Sequence, residues 1–140
     1  MSKEIKKAVT MASLESRLGN TASAGAVVTD SNTAKAAGSG SLDVFATPMM
    51  IALMERAACE CLADALEPGQ TSVGTKIDVA HTAASPVGAE ITAAATIVHV
   101  LGRTVEFTVT ASDGTGEIGN GKHTRVIVDS EKFSLKAKQR

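Results

Sequence analysis

From Met49 to Leu66 the chain has no internal Gly or Pro, and Ala, Leu, Met and Glu dominate. Met50, Met54, Ala58, Cys61, Leu62 and Ala65 recur at helical spacing, with Ile51 and Leu66 beside them. Arg56, Glu60, Asp64 and Glu67 fall on a different face. The spacing predicts an amphipathic helix of about five turns. Thr47 reads as its N-cap, Pro48 as its first helical residue and Pro68-Gly69 as its stop. After the helix the period drops to two. Val73, Thr75, Ile77, Val79, His81 and Ala83 share one face of a predicted strand, opposite Lys76, Asp78 and Thr82. Ala89 to Leu101 alternates again, with Ile91, Ala93, Ala95 and Ile97 inward. Thr104 to Ala111 sets Val105, Phe107, Val109 and Ala111 against threonines and Glu106. Leu101-Gly102-Arg103 and Asp113-Gly114-Thr115-Gly116 predict tight turns. Glu117 to Val128 makes the last strand, where Gly119 and Gly121 suggest a bulge or bend.

The N-terminal half is weaker in signal. Ser2 to Leu18 reads as a short helix or a loose arm, and Ala24 to Asp30 as one short strand. Ser31 to Ser41, small and polar, reads as a mobile loop, and Ser130 to Arg140 as a basic tail that frays. The predicted order is one short strand, one long helix and four antiparallel strands. A single helix cannot cover both faces of such a sheet, so the sheet is expected to curve around it. That leaves an edge or an outer face open to a second copy.

Length and composition narrow the picture. One domain spanning residues 1–140 is expected, large enough to fold without metals or disulfides. Fourteen basic residues face fifteen acidic ones, so no net basic field attracts nucleic acid or anionic lipid. Three Phe with no Tyr or Trp offer no base-stacking platform. Cys59 and Cys61 cannot build a disulfide framework and suit a reducing cytoplasm. The first twenty residues lack a signal-peptide apolar core, and no apolar run approaches the ~18 residues of a membrane span.

Three positions stand out chemically. Glu55 lies four residues after Ile51, four before Cys59, seven before Leu62 and eleven before Leu66, on an apolar stripe. Either it reaches solvent at the stripe's edge, or burial raises its pKa toward that of a general base or acid. His81 ends the apolar face of its strand, either as a satisfied core residue or facing a carboxylate with which it can relay a proton. Thr47 serves as a helix cap, or sits where the dipole and free N–H groups stabilise a carbonyl oxygen, or does both. His99 lies on the apolar side of its strand near a turn and His123 near the glycine-bent segment, and nothing pairs with either by spacing. Gly119-Asn120-Gly121 is not a phosphate loop, and Cys59 with Cys61 offers no zinc spacing, so no metal is expected.

The segments Val44 to Glu55, Leu66 to Gly69, Ser72 to Thr75, Val79 to Ala84 and Glu117 to Arg125 together resemble the fluoroacetyl-CoA thioesterase family, in order from about Val44 to Lys136. The resemblance implies an α+β hot-dog fold, in which a curved antiparallel sheet wraps a long helix, and a homodimer. It implies hydrolysis of acyl-CoA without metal or redox cofactor, coenzyme A entering only as part of the substrate. The family's catalytic Thr, Glu and His fall on Thr47, Glu55 and His81. Thr47 is then nucleophile or carbonyl-positioning hydroxyl, Glu55 base or nucleophile partner, and His81 the residue that orients either one. Gly74 would offer backbone to the acyl group, and Arg125 would meet the acyl end or CoA. Where the family carries aromatic residues over the acyl site, Gly38 to Asp43 has none, which points to a general short-acyl-CoA thioesterase. The motifs of hydratases and dehydratases of this fold do not occur. A non-catalytic acyl-CoA binding module is the other alternative.

Overall fold

The computed structural model describes residues 14–140, so most of the Ser2–Leu18 expectation lies outside the described residues. In chain order the elements are β1 (Thr21–Val27), α1 (Ala34–Ala37), α2 (Thr47–Leu62), a 3₁₀ turn (Ala63–Ala65), β2 (Gln70–His81), β3 (Glu90–Leu101), β4 (Thr104–Asp113), β5 (Gly116–Asp129) and α3 (Ser130–Lys138). The strands form one sheet in the order β1-β3-β4-β5-β2, antiparallel throughout. This is the expected hot-dog arrangement, with α2 packed on the sheet.

The helix forms where the periodicity placed it, and the sheet accepts it because the facing side chains are small. Met50, Leu53, Met54, Ala57, Ala58 and Leu62 are buried against Ile91, Ala93, Ala95, Ile97, Phe107, Val109 and Ala111. Alanines at the contact let the backbones approach, and flexible methionines fill the irregular gaps. Truncating fully buried Met54 to Ala should cost about 2–5 kcal/mol.

Several local readings are corrected. Ala46, not Thr47, is the N-cap, and the helix proper ends at Leu62 rather than Leu66. The supposed mobile loop contains α1, whose cap Thr33 accepts a hydrogen bond from Ala36 N–H and whose end is Gly38 in the left-handed region. The tail is helical because the Asp129 side chain accepts from Lys132 N–H and starts α3. β1 starts earlier, at Thr21. In β2 the register shifts between Gly74 and Lys76, so strict alternation fails there. Thr75 is the extra residue, and Gly74, paired with inward Arg125, joins the helix-facing side in place of Val73. The expected bulge near Gly119 is present: Ala111 pairs with Gly119 and Ser112 with Glu117, leaving Ile118 extra.

Among the described residues β2 bonds only to β5, so its other edge is free of them along its twelve residues. Thr71, Gly74, Ile77 and Ala80 are exposed there.

Candidate functional site

Thr47 is placed by a chain of backbone and side-chain bonds running through three loops. Asp113 at the end of β4 accepts a 2.7 Å hydrogen bond from the Ser85 hydroxyl. The Ser85 carbonyl accepts from Phe45 N–H at 2.8 Å, and Asn32 O accepts from Ala46 N–H at 3.0 Å. Ser85 and Phe45 are both buried, so the start of α2 is fixed against the loop after β2. Asp113 also accepts from the Thr115 hydroxyl and from Thr115 and Gly116 N–H. The bonds from Ser85 and Thr115 hold its carboxyl down at about 2.

Because Ala46 takes the cap position, the Thr47 side chain makes no capping bond. Its hydroxyl instead lies 2.8 Å from Nδ1 of His81, the last residue of β2. Two elements far apart in sequence thus deliver a hydroxyl and an imidazole to one spot. The helix end adds its dipole, but Pro48 has no N–H and those of Met49 and Met50 donate to Ala46 O, so these amides are already used. The opposite ring nitrogen, His81 Nε2, is buried with no hydrogen-bond partner among the described residues. When Thr47 donates to Nδ1, Nε2 carries the ring proton and needs an acceptor. Thr47 and His81 line a cleft of about 260 Å³ with Ser39, Phe45, Ala83 and Ala84.

A second cluster lies two turns along α2, roughly 12 Å from Thr47 by helix rise. Glu55 Oε2 accepts from Arg125 Nη1 at 3.1 Å. His123 Nε2 is 3.2 Å from the same Nη1 and 4.0 Å from Glu55 Oε2. Arg125 Nε donates to the Ser72 hydroxyl and Nη2 to the Ser72 carbonyl. The buried guanidinium is thereby tied to β2 on one side and to the α2 carboxylate on the other. Glu55 itself is half-exposed, in a cleft of about 250 Å³ shared with Gly74, Thr75 and Ile77.

Gly74 makes this cluster possible. A Cβ there would lie 2.7 Å from Glu55 Oε2, 3.1 Å from His123 Cε1 and 3.2 Å from Arg125 Nη1. Absence of a side chain lets all three groups press against the strand.

The expected pairing of Glu55 with His81 is not made within one chain. The imidazole beside Glu55 is His123, and the partner of His81 is Thr47. Gly74 and Arg125 join Glu55, so the five expected site residues divide into two clusters. His123 was missed. Its two-residue spacing from Arg125 on an inward-facing strand was the available signal. His99, expected on the apolar side, is exposed because β3 bulges between Ile97 and His99.

Residues 28–131 match the family described as "FlK: Fluoroacetyl-CoA-specific thioesterase". A fluoroacetyl-CoA thioesterase of Streptantibioticus cattleyicolor is 46% identical over 98 residues, covering 70% of this chain and 70% of that protein. The solved fluoroacetyl-CoA thioesterase FlK aligns with a TM-score of 0.84 at 38% identity, covering 89% of this chain and 96% of that one. A thioesterase superfamily member of Thermus thermophilus aligns with a TM-score of 0.80 at 27% identity, covering 87% and 90%.

Proposed function

The chain belongs to the fluoroacetyl-CoA-specific thioesterase family, and from that footing we propose that it hydrolyses a short-chain acyl-CoA to the free acid and CoA. The observation that carries this is the 2.8 Å contact between Thr47 Oγ1 and His81 Nδ1, with the hydroxyl released from capping. That is the separation of a nucleophile and its base. His81 takes the Thr47 proton as Oγ1 attacks the thioester carbonyl carbon, and returns it to the departing CoA sulfur. Water activated at the same imidazole then cleaves the Thr47 ester and releases the acid. No metal or redox cofactor enters either step. A relative supports the substrate class: a threonine-to-serine variant of FlK has been solved in complex with acetyl-CoA.

The two clusters become one site in a homodimer. Pairing of two free β2 edges about a two-fold axis close to Asp78 would set Ala80 opposite Lys76 and His81 opposite the Gly74–Thr75 bulge. Glu55 of the partner subunit then enters the Thr47–His81 crevice. Its carboxylate supplies the acceptor that His81 Nε2 lacks among the described residues, and it stabilises the imidazolium formed during attack.

Segment 38–43 is exposed and has no aromatic residue, so no aromatic ring from it covers the acyl group. The proposed substrate class is therefore short acyl-CoA in general rather than fluoroacetyl-CoA alone. Among the described residues no helix is long and apolar enough to cross a membrane. Cytoplasm is the proposed setting.

The test is thiol release from acetyl-, fluoroacetyl-, propionyl- and butyryl-CoA. Hydrolysis is expected, with Glu55→Gln and His81→Ala each lowering kcat about a hundredfold or more. Enoyl-CoA hydration without thiol release would favour the hydratase alternative. Thermal protection by acyl-CoA without turnover would favour a binding module.

A further inference from the structure

We propose that His123 is a positioning residue, whose ring holds Arg125 so that the guanidinium aims the Glu55 carboxylate into the crevice beside Gly74. The proposal rests on Glu55 belonging to the hydrolytic site.

The ring's contacts fix its state. Nδ1 lies 2.8 Å from the Lys76 carbonyl, which can only accept, so Nδ1 carries the proton. Nε2 lies 3.2 Å from Arg125 Nη1, which can only donate, so Nε2 presents its lone pair. His123 is therefore neutral, in the Nδ1–H tautomer. Burial and the neighbouring arginine push its pKa below the usual histidine range, against the opposing pull of the Lys76 carbonyl and Glu55. Protonation would point a second N–H at a guanidinium.

Its surroundings explain why a polar ring stands there. His123 is 2% exposed and stacked on Phe107, with ring centroids 6.0 Å apart. An apolar ring of similar size would fill that space at lower desolvation cost. What the imidazole adds is one link to the β2 bulge through Lys76 O and another to Arg125. Four of the five guanidinium N–H groups are then engaged: two by Ser72, one by His123 and one by Glu55. Such an arginine has no freedom to swing, and the carboxylate it holds inherits that fixity.

Steady-state hydrolysis of an acyl-CoA by His123→Phe, His123→Gln and Glu55→Gln, with each double variant, tests this. His123→Phe should lower kcat about tenfold with KM nearly unchanged, and His123→Gln, which keeps an acceptor for Arg125, should recover much of the loss. In the Glu55→Gln background His123→Phe should cost little more, because the group it positions is gone. An equal loss in both backgrounds, or no loss in an otherwise parent enzyme, overturns the proposal. A Glu55→Gln enzyme at parent rate overturns the Glu55 reading first, and this one with it. Two-bond 1H–15N spectra of the parent protein decide the matter even if His123→Phe does not fold. An Nδ1–H tautomer is expected for His123, and an Nε2–H tautomer would refute it.

Discussion

Replacing Gly74 by alanine acts chiefly on the position of one carboxylate. Gly74 is not among the residues with positive φ, so alanine brings no backbone strain. The new methyl would stand 2.7 Å from Glu55 Oε2, and ordinary contact begins near 3.4 Å, so the oxygen must retreat by about 0.7 Å. That retreat stretches the 3.1 Å bond from Arg125 Nη1 beyond hydrogen-bonding range. A hydrogen bond to a charged group contributes about 1.5–3 kcal/mol, less where solvent screens it, as it does for half-exposed Glu55. About 1.4–2.7 kcal/mol of lost transition-state stabilisation is a ten- to hundredfold fall in kcat/KM. The same methyl would stand 3.1 Å from buried His123 Cε1 and 3.2 Å from Arg125 Nη1, which must give by a few tenths of an ångström, so folding should lose about 1–2 kcal/mol as well. Thiol-release kinetics and a thermal melt measure the two quantities separately. A folded Gly74→Ala enzyme with parent kcat/KM would refute the reasoning, since the carboxylate's position would then not matter.

Thr47→Ser should keep most activity and Thr47→Ala should lose about a hundredfold, while both melt within about 1 °C of the parent because Ala46 is the cap. A large drop in melting temperature for Thr47→Ala would return that residue to a structural role. Asp113 has its pKa depressed to about 2, so its stabilising effect is present above the unfolded value near 3.9 and is lost as pH falls through about 2. Asp113→Asn should lower the melting temperature at pH 7, and the gap should close between about pH 4 and pH 2; a gap independent of pH would contradict the Ser85–Asp113 bond as its source.

The residues legible in the sequence were those that broke a period. The α2 pattern and the four strands follow from apolar spacing, because one buried face leaves little freedom in register. Glu55 on an apolar stripe and His81 on an apolar strand face were visible as anomalies. Their partners were not, because contacts such as Thr47–His81 and Glu55–Arg125 join residues 34 and 70 positions apart. The Thr75 bulge could not be read from alternation, since a single inserted residue moves Gly74 inward without altering the hydrophobic count. Ala46 displaced Thr47 as cap although threonine is the better capping residue, and tertiary demand for the hydroxyl at His81 accounts for the exchange. His123 looked ordinary because its role depends on the side chain two residues away and on a carbonyl from another strand.

Mixing the His81→Ala and Glu55→Gln chains tests most directly whether each site takes its carboxylate from the neighbouring copy. Each variant alone should be nearly inactive. After denaturation together and refolding, half the dimers should be mixed, and one site in each should carry both an intact His81 and an intact Glu55. Thiol release should then return to about a quarter of the parent rate. A mixture that runs as a dimer on size exclusion yet stays as inactive as its parents would contradict a shared site.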